Sequence, residues 1–195
     1  MTAAYVALQL ESVDDARAFA DRAVPIARGL DNPFVWMILQ GNVALAALFS
    51  NDIGSADKAF REELSLGREI VAPLTASEGL LGLAAVSVTR DDLERAAHLV
   101  GAAATHADDQ YATDAVERRL HATYFEPARK RHGDGAWAAA RSEGATPSFE
   151  DAIAYAPRGR GPALTGGTPS RRVRATRSRR AGRDCAVGHG GSRCR

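Results

Sequence analysis

Cysteine is nearly missing from this chain of 195 residues: Cys185 and Cys194 are the only two, and both lie close to the C-terminus. The rest of the chain therefore has no disulfide and no thiolate chemistry, which suits a reducing compartment and gives a cytoplasmic location as the expectation. Aromatic residues are scarce, at 6 %. Alanine is plentiful, and a chain of small side chains suits close helix packing better than a β-sandwich. No apolar run reaches the ~18 residues that a membrane helix needs. The opening MTAAYVALQLESVDD has neither a basic start nor a long apolar core, so no signal peptide or anchor is expected. A phosphate-binding G-x-x-x-x-G-K-[ST] loop is missing, and no nucleophile stands with a base at a usable spacing. The expectation is a protein that is not an enzyme, with no catalytic residue and no cofactor.

What is present is unevenly distributed. The 25 basic residues divide into 14 up to residue 157 and 11 beyond it, whereas 23 of the 24 acids lie in the first part and only Asp184 lies in the second. An acidic body, residues 1–156, is thus followed by a basic tail, residues 157–195, rich in Arg, Gly, Pro, Ser and Thr without apolar periodicity; disorder is the expectation there. The tail's bias is also that of a GC-rich coding strand read in another frame. A hydrophobic share of 45 % over the whole chain is enough for one ordinary core.

Within the body the apolar period is helical. Ala16, Phe19, Ala20, Ala23 and Ala27 form one stripe, with Ser12 and Asp15 at its start and Pro25 as an expected kink or early end. Asn32 and Pro33 read as N-cap and first helical residue of FVWMILQGNVALAALF, apolar nearly all round and so buried between neighbours. Ala56, Ala59, Phe60, Leu64, Gly67, Ile70 and Val71 make the next stripe, with the charged residues falling opposite, and Pro73 is expected to stop that helix. Thr75 with Glu78, and Asp91 with Glu94, have capping-box spacing for the two helices after it. Those helices, EGLLGLAAVSV and the one running from Leu93 through Ala96, Ala97, Val100, Ala103 and Ala104 to Ala107, read as a tight antiparallel pair with Gly82 and Ala85 facing Ala96 and Ala103. Further on, Val116, Leu120, Tyr124 and Ala128 point inward from a longer helix kinked at Pro127 and ended by Gly133; Trp137 marks a short helix, and Ser148 with Asp151 caps a last one that covers the end.

Helices that begin near Ser12, Gly54 and Asp92 recur at roughly 40-residue intervals, the signature of an all-α array of helix-turn-helix repeats. EGLLGLAAVSVTRDDLERAAHLVGAA and YFEPARKRHGDGAWAAARSEGATPSFEDAIAYA resemble the C-terminal, tetratricopeptide-like region of large actinobacterial regulators of the LuxR and adenylate-cyclase-associated type. Leu81 and Gly82 match the Leu-Gly of a repeat's first helix, and Ala96 and Ala103 match the small positions of its second; Ala85 departs, standing where the pattern prefers a large aromatic. The resemblance implies a degenerate repeat array acting as a protein-interaction or sensor module in signalling or transcription control. It carries over no catalytic residue, because the cyclase, ATPase and DNA-binding parts of such regulators lie outside the repeats. It also implies an interaction groove on the helix that holds Trp36, Gln40 and Asn42, although such a stripe is more often core.

Other clusters favour plain readings. His98, His106, His121 and His132 have no metal-ligand spacing, and Asp91–Asp92 and Asp108–Asp109 sit where caps and turns are expected. Cys185, His189 and Cys194 offer three zinc ligands without a fourth, so no metal is expected. Arg171, Arg172, Arg174, Arg177, Arg179 and Arg180 are able to neutralise phosphates without the aromatics that stack on bases, which leaves non-specific nucleic-acid binding through the tail as an alternative function. A second alternative is an orphaned fragment of a larger regulator with no activity of its own. Partners are expected at the other end: Tyr5, Val6, Leu8 and Leu10 have little sequence before them to cover them, so self-association or docking of another helical chain through Tyr5 to Ala27 is the expectation, with no membrane contact.

Overall fold

The computed structural model describes residues 2–70, 73–106, 115–145 and 148–156. The order is α1 Ala3–Gln9, α2 Val13–Arg28, α3 Pro33–Phe49, α4 Ile53–Glu69, α5 Pro73–Thr89, α6 Leu93–His106, α7 Ala115–Leu120, α8 Glu126–His132, α9 Asp134–Gly144 and α10 Phe149–Tyr155. The fold is all-α, with no strand among the described residues. By contact the chain divides into Met1–Gly159 and Arg160–Arg195; the tail expected from residue 157 lies outside the described residues.

One turn is used three times. Glu11, Asn51 and Asp91, forty residues apart, adopt the left-handed conformation with φ of 59°, 61° and 58°. In each case the next amide reaches back to the first helix of the pair: Ser12 N to Ala7 O, Asp52 N to Ala47 O and Asp92 N to Ser87 O, all at 2.9 Å. A left-handed residue lets the chain reverse while those bonds satisfy carbonyls that the helix end would otherwise leave open. The backbone of the second helix then starts alike in all three, with the amides of Ala16, Ala56 and Ala96 donating to Ser12, Asp52 and Asp92 carbonyls at 3.0 Å. All three alanines are fully buried, and their lack of bulk lets the paired helices close. The same turn thus joins three helix pairs, α1–α2, α3–α4 and α5–α6.

Several local expectations hold. The Asn32 side chain accepts from Phe34 N and Val35 N at 3.1 and 3.2 Å, with Pro33 as the first residue of α3. Ser148 Oγ accepts from Asp151 N at 3.3 Å at the start of α10. Gly133, at φ 92°, ends α8.

Others are corrected. α2 runs through Pro25 to Arg28, so the helix does not end early, although Pro25 has no N–H to give the Asp21 carbonyl. Pro73 opens α5, which places Thr75 and Glu78 inside the helix and leaves no capping box for them. Asp91 is itself the left-handed turn residue and Asp92 precedes α6, so the Asp91–Glu94 spacing is one residue out of register. Gly82 accommodates the Phe60 ring of α4, on which a Cβ would land, and its closest approach is not to α6. The tightest backbone approach is instead between α6 and α9, where a Cβ on Gly101 would strike the Arg141 carbonyl and one on Gly144 the His98 carbonyl. Ala104 lies exposed, outside the buried seam of Ala96, Ala97, Val100 and Ala103.

Helices α1 to α5 each pack on the next in the chain. α7 and α8 are joined by a wide turn, His121–Phe125, in which Glu126 N donates to His121 O just before Pro127; the wide turn carries the helix past the proline. Val116, Leu120, Phe125 and Ala128 are buried from this segment, and the partly buried Tyr124 donates its hydroxyl to Leu48 O at 3.4 Å. α9 lies on α6 with Trp137 buried. α10 packs on α4, α5 and α6, burying Ala152, Ile153 and Ala156, and Arg95 Nη2 donates to the Ala156 carbonyl. The α6 side of the array is therefore closed by α9 and α10.

Candidate interaction surface

The groove expected around Trp36, Gln40 and Asn42 is not open. Gln40 and Asn42 are buried; Asn42 Nδ2 donates to Ile38 O at 2.9 Å, and its Oδ1 has no partner. Trp36 is partly buried, its Nε1 donating to Glu62 Oε1 at 2.8 Å beneath the Arg28 guanidinium, 5.4 Å from the ring centre. Trp36 thus ties α3 to α4, whereas the Asn42 bond stays within α3, which lies buried between its neighbours. Arg171, Arg172, Arg174, Arg177, Arg179 and Arg180 lie outside the described residues, as do Cys185, His189, Cys194, Asp108 and Asp109. His98 stacks against Tyr155 and His121 against Phe125; burial lowers the pKa of both imidazoles. Among the described residues no three His, Cys, Asp or Glu side chains form a metal-sized group, and no helix is long and apolar enough to cross a membrane.

Exposed apolar bulk is concentrated at one end. Among the described residues the large exposed hydrophobic side chains are Val6, Leu10, Phe19, Ile26, Leu30 and Phe34, all within the first 34 residues. Leu10 is 75 % exposed, Ile26 67 % and Phe19 40 %. Scattered apolar residues on a surface need no explanation, but their confinement to one end does. Leu8, expected with them, is in the core, and Tyr5 is partly buried.

The repeat register shows how that region differs from the next hairpin. α3 and α5 have 17 residues each, but α1 has 7. In the second hairpin the first half of α3 covers α4: Trp36 bonds Glu62, and a Cβ on Gly41 would lie 3.0 Å from Glu63 Oε1. Forty residues earlier on α2, Arg22 is exposed and Ala23 is only partly buried, against the cluster of Ala4, Ala20, Ala27 and Leu39. Phe19 is accordingly exposed, whereas Ala59 and Leu99, its equivalents, are buried.

The same cover produces an unexpected feature in the second hairpin. Glu63 is 2 % exposed, and its Oε2 has no hydrogen-bond partner. Its Oε1 and Glu78 Oε1 each lie 3.0 Å from the point that a Gly41 Cβ would occupy, so two carboxyl groups from α4 and α5 converge on one glycine of α3. Burial, and then the neighbouring Glu78, push the Glu63 carboxyl well above its ordinary pKa of 4.5. The charged residues of α4 therefore do not all fall on its outer face. Alignment at forty residues was the signal available: Glu63 stands where the other hairpins have Ala23 and Ala103.

No family model matches this chain, and neither a curated protein nor a solved structure matches it.

Proposed function

We propose that the chain is a non-enzymatic protein-interaction module, of the kind its resemblance to the repeat region of LuxR-type regulators implies, working in signalling or transcription control through its first helices. The observation that carries this reading is that, among the described residues, the large exposed apolar side chains are confined to residues 6–34. An apolar surface gathered in one region of a molecule is a docking site for another chain.

Light scattering over a concentration series tests the reading, with Phe19→Glu and Ile26→Glu as probes; both side chains are exposed, so neither change disturbs the core. Association that both substitutions weaken supports it. A chain that stays monomeric at high concentration removes it.

The uneven charge supports a second reading, nucleic-acid association through the arginine-rich tail. Its mark is binding to duplex DNA that weakens steeply with salt and is lost on truncation after Gly159.

A further inference from the structure

The Glu63 carboxyl is held where three helices meet. Its Oε1 lies 3.0 Å from the Cβ position of Gly41 on α3, and its Oε2 lies 3.3 Å from that of Gly79 on α5, so a glycine on each neighbour makes room for the group. Glu63 is 2 % exposed, its Oε2 has no hydrogen-bond partner, and the buried Leu64 side chain stands against Gly79 beside it. Neither enclosing helix can supply a cation. α3 contains no ionisable side chain, and α5 contains one, Glu78, whose Oε1 also lies 3.0 Å from the Gly41 position. On α4 itself Asp57 is engaged by Arg61 and Arg90, Glu62 accepts from Trp36, and Lys58, Arg68 and Glu69 are exposed. α10 also packs on α4; its Glu150 and Asp151 are exposed, and its Tyr155 lies against Arg95 and His98. Burial, and then the like charge of Glu78, therefore hold the Glu63 carboxyl well above 4.5.

We propose that Glu63 and Glu78 form a proton-operated lock: α3, α4 and α5 close around Glu63 while the pair holds a proton, and loss of that proton loosens α3 from α4 and α5 without unfolding the array. Two carboxyl groups that converge on one glycine, one of them fully enclosed, ionise together only at a cost, so the closed junction keeps a proton that an open, hydrated one releases. In the open junction Glu63 titrates near its ordinary 4.5 and in the closed one higher. Closure is thus at full strength below 4.5 and weakens as pH rises toward the raised value. The response is local because the equivalent positions of the other hairpins are Ala23 and Ala103, which carry no proton. The moving element is the α3–α4 contact, whose Trp36–Glu62 bond lies one residue from the lock. The lock does not depend on the docking surface of the first helices.

Amide hydrogen exchange of the full chain, corrected for the intrinsic rate at each pH, tests the lock. From about pH 5 to about pH 8 the protection of α3 and α4 amides should fall at least about tenfold, while that of α9, Asp134–Gly144, stays constant. Glu63→Gln keeps the shape without titrating and should flatten the fall in α3 and α4. Glu78→Gln, at a partly buried position, removes the like charge and should make the fall smaller. A flat profile in the unaltered chain, or a fall that survives Glu63→Gln, overturns the lock. Equal loss of protection in α9 overturns it as well, because it marks destabilisation of the whole fold. Where Glu63→Gln does not fold, Glu78→Gln decides, and a fall of undiminished size in that variant overturns the lock.

Discussion

Ala23 on α2 and Glu63 on α4 occupy the same place in two hairpins built on the same turn, yet Ala23 lies half open beside exposed Phe19 and Ile26, while Glu63 is enclosed between Gly41 and Glu78. The backbone register does not decide which is covered. The cover over each does: α3 lies over Glu62 and Glu63, whereas Arg22 is exposed and Ala23 only partly buried. The usual distribution is thereby inverted, with an alanine at the open position and a carboxyl group at the closed one.

Placing glutamate at the register position in the other two hairpins gives the largest effect. Ala103→Glu puts an uncompensated carboxyl into a fully packed seam, and the expected loss is about 4 kcal/mol, seen as a large fall in denaturant midpoint. Ala23→Glu should change monomer stability by no more than about 0.5 kcal/mol while weakening self-association. Equal costs would show that cover does not distinguish the two hairpins.

Within the first hairpin the contrast lies between Leu8 and Leu10. Leu8→Ala removes a core side chain and should cost about 3 kcal/mol; Leu10→Ala, at a position 75 % exposed, should cost under about 0.5 kcal/mol. Thermal or urea unfolding reads both.

Gly82 shows how far the sequence alone could lead. It was legible as a point where small size matters, because a glycine inside an apolar helix asks for close approach, but glycine does not name its neighbour; the structure supplies the Phe60 ring. Gly82→Ala is therefore destabilising, by about 2 kcal/mol, and should be partly relieved by Phe60→Leu in a double-mutant cycle. The forty-residue recurrence was readable from hydrophobic stripes since it is a property of whole helices. Thr75–Glu78 misled because capping spacing also occurs inside a helix, and Pro73 had already set the start. Glu63 was hidden by its neighbours: among Arg61, Glu62 and Glu69 it reads as part of a solvated face, and only the comparison with Ala23 and Ala103 marks it. The Trp36, Gln40 and Asn42 groove failed for a related reason, since an apolar helix with a few polar residues looks alike whether those residues face a ligand or a neighbouring helix.

Proton linkage gives a finer test of the second hairpin. The folded state holds the Glu63 proton more tightly than the unfolded chain does, so its contribution is full below pH 4.5 and declines as pH rises from there toward the raised folded value. Glu63→Gln keeps the shape and removes the proton. Melting curves across this range should lose that declining component in the variant, and Glu78→Gln should shift it to lower pH. An unchanged profile in Glu63→Gln would mean that the enclosed carboxyl does not control the second hairpin's response.

The smallest effect comes from the caps at the start of the second helices. Asp52 accepts from Ser55 N at 3.2 Å, but its counterpart Ser12 makes no such side-chain cap and instead donates to Asp15 Oδ2 at 2.6 Å. Bonds from the Ser55 side chain and backbone hold the Asp52 carboxyl below its ordinary 3.8. The sign is opposite to that of Glu63: the folded state favours the ionised form, so stabilisation is present above the unfolded value and is lost as pH falls through the folded one. Asp52→Ala should lower the melting temperature near neutral pH and have less effect in acid, whereas Ser12→Ala should have a smaller effect that changes little with pH, because no ionisable cap is removed. Equal and pH-independent losses at both positions would show that the two hairpins start their second helices in the same way, and the contrast between them would then lie in the cover over α2 and α4 alone.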